Sequence, residues 1–264
     1  MRQQPMAETM SSIHAKESQT ADANSAGANP ASLRQDGSLQ QVSFDFIERH
    51  NNAHGSGAKG ADLGERCEHK VRKSPPVTWL TGFLSVQEQQ ALLDDAKSYP
   101  FERPQIEVYG KLHPIPRQQV WFADEDCGYR YASLFISPTP WPALLMQLRQ
   151  RLQAELGLVF NGVLVNFYAD GQDTVGWHSD DEAEIRKPSS IASISIGATR
   201  DFQIRHKRSQ ETFTLPLVSG DLLIMQPGMQ QTWQHAVPRR AKVKAPRINL
   251  TFRELVPQRD NHLI

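Results

Sequence analysis

Ile191-Ala192-Ser193-Ile194-Ser195-Ile196-Gly197 is the stretch whose alternation decides the architecture. Successive side chains of a strand leave opposite faces, so Ala192, Ile194 and Ile196 share one apolar face, while Ile191, Ser193, Ser195 and Gly197 share an unlike one. Arg247-Ile248-Asn249-Leu250-Thr251-Phe252-Arg253 repeats the pattern, with Arg247, Asn249, Thr251 and Arg253 on one face. Further short runs at 158–168, 201–206, 212–217 and 221–226, and the full 247–254, also read as strands, separated by Gly, Pro and Asp turns. Two helices flank them. Ser85-Val86-Gln87-Glu88 is a capping box, and Leu92, Leu93 and Ala96 carry the apolar stripe of a helix that ends near Tyr99-Pro100. A second helix starts at Pro142, runs to Leu156 with Leu144, Leu145, Leu148, Leu152 and Leu156 on one stripe, and stops at Gly157. Many short strands with helices outside them predict an α+β, mainly β class, with a double-stranded β-helix, or jelly roll, as its core.

The remaining composition bounds the protein. The chain has 264 residues, 39% of them hydrophobic, enough for one sizeable core. Residues 1–76 are rich in Ala, Ser, Gln, Asn and Gly and show no sustained period, so a disordered tail is expected there. The folded domain is expected over 77–256, divided into 77–157 with the supporting helices and 158–256 with the roll, and 257–264 form a second tail. Cys67 and Cys127 make neither a disulfide framework nor a cysteine zinc site and read as incidental thiols. With no apolar stretch long enough to span a bilayer and no signal-peptide core, the expectation is an intracellular monomer, cytoplasmic, or nuclear in a eukaryote. Formal net charge is zero, with 29 basic and 29 acidic residues, but nucleic-acid binding needs only a local basic surface. Two runs could supply one: Arg205, Lys207 and Arg208, and Arg239, Arg240, Lys242 and Lys244 leading into Arg247.

Chemistry is concentrated in His178-Ser179-Asp180 and the later His235. In an extended chain His178 and Asp180 point to one side while Trp177 and Ser179 point to the other, and His235 would complete a face of two imidazoles and one carboxylate. That face leaves positions on an octahedral ion open, as in non-haem Fe(II) oxygenases. Arg247 and Arg253 would stand nearby on their strand; paired guanidiniums suit a dicarboxylate, and 2-oxoglutarate is the dicarboxylate that also chelates iron. A structural zinc module is the competing reading. Closed zinc sites usually have four ligands with cysteine among them, which this set lacks.

From about Trp79 to Leu255 the sequence resembles the AlkB-type Fe(II) and 2-oxoglutarate dioxygenases, in the branch that removes alkyl groups from DNA bases. The blocks that carry the resemblance are Val165 to Tyr168, Trp177 to Glu182, Ile191 to Thr199, Trp233-Gln234-His235 and Pro246 to Arg253. It implies iron held by His178, Asp180 and His235, and 2-oxoglutarate held by Asn166, Tyr168, Arg247, Asn249, Thr251 and Arg253. It also implies a nucleotide-recognition lid within 77–157, matched by Val108-Tyr109-Gly110-Lys111, Pro116-Arg117-Gln118 and Tyr129-Arg130-Tyr131. Because a base in a duplex must be extruded to reach a buried centre, Tyr109 is the candidate wedge, and Tyr131 with His178 the candidate sandwich for the extruded base. Relatives that repair duplexes carry phenylalanine at both tyrosine positions. Asp181 is the candidate for a cationic N-methylated base; Glu182 is either a partner in that contact or a supporting charge.

The implied activity is oxidative repair of bases such as 1-methyladenine and 3-methylcytosine, releasing succinate, CO2 and formaldehyde. Methylated RNA or a protein side chain are substrate alternatives for the same chemistry. DNA-backbone contacts are expected from Arg205, Lys207, Arg239, Arg240 and Lys242. In the tail, Gln41-Val42-Ser43-Phe44-Asp45-Phe46 is either a stray apolar cluster or similar to the peptide by which bacterial proteins dock onto the replication sliding clamp.

Overall fold

The computed structural model describes residues 40–42, 74–108, 110–131 and 134–258. In chain order the strands and helices are β1 (Gln40–Val42), β2 (Val77–Thr81), α1 (Val86–Asp95), β3 (Gln105–Val108), β4 (Lys111–Pro114), β5 (Gln118–Ala123), β6 (Tyr129–Tyr131) and β7 (Leu134–Ile136). They continue with α2 (Ala143–Leu156), β8 (Gly162–Tyr168), β9 (Val175–His178), β10 (Ile191–Gly197), β11 (Arg200–His206) and β12 (Thr212–Leu217). The last are β13 (Leu222–Met225), the short α3 (Met229–Thr232), β14 (Trp233–Val237) and β15 (Arg247–Arg253).

Alternation in β10 and β15 has the consequence the sequence predicts. The two strands pair antiparallel with Ser193 opposite Thr251 and Ser195 opposite Asn249, so their polar positions fall on the same face of the sheet. They lie at the centre of a seven-stranded sheet ordered β1-β2-β13-β10-β15-β8-β5. A four-stranded sheet, β12-β11-β14-β9, is the second layer of the roll. The apolar face of the large sheet, including Val163, Val165, Ala192, Ile194, Leu250 and Phe252, forms one core with Leu92 of α1 and Leu145, Leu148 and Leu152 of α2. A second core gathers Trp79, Ile191, Leu223 and Met225 of the large sheet with Phe202, Ile204, Leu215, Trp233 and Val237 of the small one. The polar residues of β10 and β15 are buried on that inner side.

Local signals explain the helices. Ser85 Oγ accepts the amide of Glu88, and the Glu88 carboxylate accepts the amide of Ser85, closing the predicted capping box. Helix α1 then tightens into a 3-10 turn at Ala96–Ser98. Gly157 ends α2 at φ 65°, a left-handed value that costs a glycine little. Strands β1 to β7, β9 and β14 go beyond the runs expected from sequence. The continuous apolar burial of Val120 to Ala123 explains β5, since alternation is lost when both faces are covered. No helix among the described residues is long and apolar enough to cross a membrane. The tails expected at 1–76 and 257–264 fall mostly outside the described residues.

Asp221, 3% exposed, ties the β12–β13 turn to β2 of the large sheet and the turn that follows it. Its carboxylate accepts the Trp79 indole N–H at 3.0 Å, the Gly82 amide at 3.1 Å and the Val218 amide at 2.9 Å. Burial pushes this carboxyl above the usual range, and the three donors pull it back. Asp221→Asn would turn an NH2 toward one of them. The expected loss is about 2 kcal/mol, read as a melting temperature lower by roughly 4–8 °C; an unchanged melt would contradict this account.

Candidate metal and co-substrate site

Between the two sheets lies an open pocket lined among others by Arg117, Asn166, Tyr168, His178, Asp180, Glu182, His235, Asn249, Thr251 and Arg253. Strands β9 and β14 pair with His178 directly opposite His235, which brings the imidazole centroids to 4.2 Å. Strand β9 stops at His178, so Asp180 stands just past the strand rather than in it. The amide of Asp180 donates to Gln230 Oε1 at 3.0 Å, and Ser179 Oγ donates to the Trp233 carbonyl at 2.9 Å. These two bonds turn Asp180 toward the histidines: Asp180 carboxylate oxygens lie 3.5 Å from His178 Nε2 and 3.9 Å from His235 Nε2.

One ligand atom from each of the three residues lies within 4.8 Å of the other two. The donor set fits a divalent cation on its protonation chemistry. His178 Nδ1 lies 2.9 Å from the Gly176 carbonyl, a contact that assigns the proton to Nδ1 and leaves Nε2 as the lone-pair donor. Burial, with the neighbouring His178, pushes His235 down to about 3, so it stays neutral, as a metal ligand must. Burial alone would raise Asp180, but the Arg253 guanidinium and the two histidines hold its carboxyl well below the usual range. For His178, burial works against protonation and Asp180 outweighs it, leaving a net upward shift.

Charge around this cluster is mostly positive. Arg253 Nη2 meets Asp180 at 2.8 Å, and its Nη1 lies 3.6 Å from Glu182. Burial raises the Glu182 carboxyl, and one of its oxygens is buried with no hydrogen-bond partner. Arg247, 1% exposed, donates to Ser195 Oγ at 2.9 Å and leaves Nε and Nη1 without partners. Two unused donors on one buried guanidinium suit a carboxylate ligand. Asn249 is turned into the sheet, donating to Ser193 Oγ at 2.8 Å and to the Ile194 carbonyl at 3.0 Å, and it accepts from Thr251 at 3.1 Å.

The substrate residues expected from sequence are spread unequally. Arg117 is buried in the cavity, its Nε donating to Asn166 Oδ1 at 2.7 Å, so it stands beside a residue expected to hold 2-oxoglutarate rather than out on a lid. Gly110, at φ 73°, lies in the turn between β3 and β4, and exposed Lys111 opens β4. Tyr109 lies outside the described residues, and for Tyr129 and Tyr131 only the backbone of β6 is described. Asp181 is exposed beside Glu182.

Of the expected backbone-contacting cations, several have intramolecular partners. Arg205 lies 4.1 Å over the Trp177 ring and donates to Gln234, Lys207 donates to the Gln230 carbonyl at 2.8 Å, and Arg240 pairs with Asp201. Arg239 is exposed and donates to Gln172, while Lys242 and Lys244 are exposed. The loop carrying them is bonded to the 169–174 loop: Gly171 donates to the Val243 carbonyl at 2.9 Å and accepts from the Arg240 amide at 2.7 Å. A Cβ on Gly171 would sit 1.8 Å from the Arg240 carbonyl oxygen, so only glycine allows this approach. Ser193, Ser195 and Gln230, which hold site residues in place, were not singled out by sequence reasoning; the two serines were signalled by the alternation of β10.

Comparison with known proteins adds independent findings. The profile of the 2OG-Fe(II) oxygenase superfamily matches residues 76–253. The chain is similar to the DNA oxidative demethylase ALKBH2 of Bos taurus, 44% identical over 160 residues, which cover 58% of each chain. It is similar to the alpha-ketoglutarate-dependent dioxygenase alkB homolog 3 of Mus musculus, 36% identical over 187 residues, covering 67% of this chain and 65% of that one. A DNA oxidative demethylase ALKBH2 of Arabidopsis thaliana is 30% identical over 245 residues, covering 81% and 75%. The solved structure of OsALKBH1 shares the fold at a TM-score of 0.52 and 22% identity, covering 69% of this chain and all of that one. The matches to the mammalian relatives span little more than half to two thirds of those proteins.

Asp180→Asn removes the one ionised donor of the cluster. Its Fe(II) affinity, titrated without oxygen, is expected to fall by more than about 100-fold, beyond the 10–100-fold typical of residues that only orient a ligand. Binding within threefold of the wild type would remove Asp180 from the ligand set.

Proposed function

Because the chain belongs to the 2OG-Fe(II) oxygenase superfamily, matched over residues 76–253, we propose that it removes alkyl groups oxidatively from damaged DNA bases. The observation that carries the reading is the convergence of His178, Asp180 and His235 in a cavity whose other charged walls are mainly guanidinium. Its support from outside the chain is the similarity to proteins named DNA oxidative demethylases. In this reading His178, Asp180 and His235 hold Fe(II), which with O2 and 2-oxoglutarate supplies the oxidising power for an N-alkyl carbon. Residues 77–256 do this work and 1–76 and 257–264 are appendages.

The protein's own contribution is placement. Asn166, Tyr168, Arg247, Thr251 and Arg253 receive the dicarboxylate, and Asn249 orders Ser193 and Thr251 beneath it. Arg117 orients the Asn166 amide. Asp181 and Glu182 supply negative charge at the mouth, which favours a cationic methylated adenine or cytosine over the neutral parent base. Tyr109, Tyr129 and Tyr131 extrude and stack the base, with Gly110 and Lys111 shaping the turn that carries the wedge. Arg239, Lys242 and Lys244 meet phosphates, as the cations least engaged within the fold. Intracellular placement and action as a monomer belong to the same proposal. A sliding-clamp contact through Gln41–Phe46 is proposed on the sequence alone; Gln41 and Val42 pair with Leu80 and Trp79 of β2, and 43–46 lie outside the described residues.

Mass spectrometry of a 1-methyladenine oligonucleotide incubated with protein, Fe(II), 2-oxoglutarate and ascorbate is expected to show methyl loss that disappears in His178→Ala. Succinate without methyl loss would overturn the DNA assignment while leaving the oxygenase chemistry. Replacing Lys242 and Lys244 by alanine together should reduce the salt slope of DNA binding by about 2; an unchanged slope would take both lysines off the DNA path.

A further inference from the structure

Arg200 opens β11 immediately after the Gly197-Ala198-Thr199 turn and is 2% exposed. A buried guanidinium ordinarily needs a carboxylate. This one instead donates to three backbone carbonyls, those of Asp170 at 3.0 Å, Asp173 at 2.8 Å and Pro238 at 2.8 Å. The three belong to the two loops that leave β8 and β14. Its carbon centre also stands 5.6 Å over the ring of Tyr168, and the guanidinium of Arg247 stands 5.2 Å over the same ring.

The two arginines sharing this aromatic ring differ in one respect. Arg200 commits both of its Nη groups to fixed carbonyls and leaves only Nε without a partner, whereas Arg247 keeps both Nε and Nη1 unpartnered. Burial disfavours the charged form of Arg247 most; Tyr168 opposes it, and the nearby charge of Arg200 adds to it, leaving a net downward shift. Two buried cations over one ring leave a local excess of positive charge that an anion at Arg247 would relieve. Tyr168 is directly opposite Arg247 in the β8–β15 register and lines the cavity, so any shift of its ring moves the donors beside it.

We propose that Arg200 is a positioning residue for 2-oxoglutarate: by clamping the two loops and resting on Tyr168, it fixes the ring against which Arg247 presents its free donors to a carboxylate of the co-substrate. This rests on the functional reading above. Arg200 itself does not touch the co-substrate. Its planar fork reaches carbonyls that come from different loops at once, a geometry lysine does not reproduce.

The test is calorimetric titration of 2-oxoglutarate into full-length protein loaded with Fe(II) in the absence of oxygen, with wild type, Arg200→Met and Arg200→Lys. Arg200→Met is expected to weaken 2-oxoglutarate by about tenfold, equivalent to about 1.4 kcal/mol, with Fe(II) affinity unchanged. Arg200→Lys should weaken it by about threefold or more, since the charge stays while the fork is lost. In turnover, KM for 2-oxoglutarate should rise in both variants, with kcat at saturation close to wild type. A purely structural role would lower the melting temperature and leave the Kd of the folded protein unmoved. If Arg200→Met gives no cooperative melt, Arg200→Lys decides alone: a Kd within twofold of wild type overturns the proposal. Wild-type protein that fails to bind 2-oxoglutarate would instead overturn the functional reading.

Discussion

The constraint on which this molecule depends is that a polar sheet face is buried. Asn166, Ser193, Ser195, Arg247, Asn249, Thr251 and Arg253 are all buried, and they line the inner side of strands whose other side is an ordinary apolar core. Buried polar groups are costly unless each finds a partner. Here they find one another: Asn249 with Ser193 and Arg247 with Ser195 across the β10–β15 pair, and Thr251 with Asn249 along β15. What that pairing leaves over is chemically informative. Around the cavity, two donors of Arg247, an oxygen of Glu182 and Nδ1 of His235 are among the buried polar atoms without partners.

Charge follows the same logic. Asp180 is held ionised by a guanidinium at 2.8 Å, yet it faces two imidazoles, one of which burial keeps neutral. Arginine keeps the carboxylate charged without consuming both of its oxygens, and the neutral imidazole avoids repelling an incoming cation. The pair of buried arginines over Tyr168 supplies the opposite preference a few residues away, for an anion. A cavity that attracts a cation on one wall and an anion on another is arranged for a chelate that joins them.

Much of this was legible in the sequence, and the limits are physical. The alternation of β10 and β15 revealed the sheet and its polar face because a period of two survives when the faces differ. It did not reveal β5, where Val120 to Ala123 are covered on both sides and the alternation vanishes. The histidine and aspartate spacing pointed to one cluster, but the reason differs in detail: β9 ends at His178, and Asp180 is aimed by Gln230 and by Ser179, not by the pleat of a strand. Arg200 could be noticed but not assigned, since its partners are loop carbonyls, which have no sequence signature. Arg117 was expected on the lid because it lies among lid motifs, whereas its burial against Asn166 follows from β5 pairing with β8.

The backbone contact at Gly171 has a mechanical consequence. Two loops that would each fluctuate alone are laced by reciprocal main-chain bonds, and the glycine lets them approach too closely for either to swing away. Lys242 and Lys244 are therefore mounted on a stiffened platform instead of a free tether. A ligand landing on a stiff surface gives up less chain entropy than one that must first order a loop, so affinity there is limited by charge and shape.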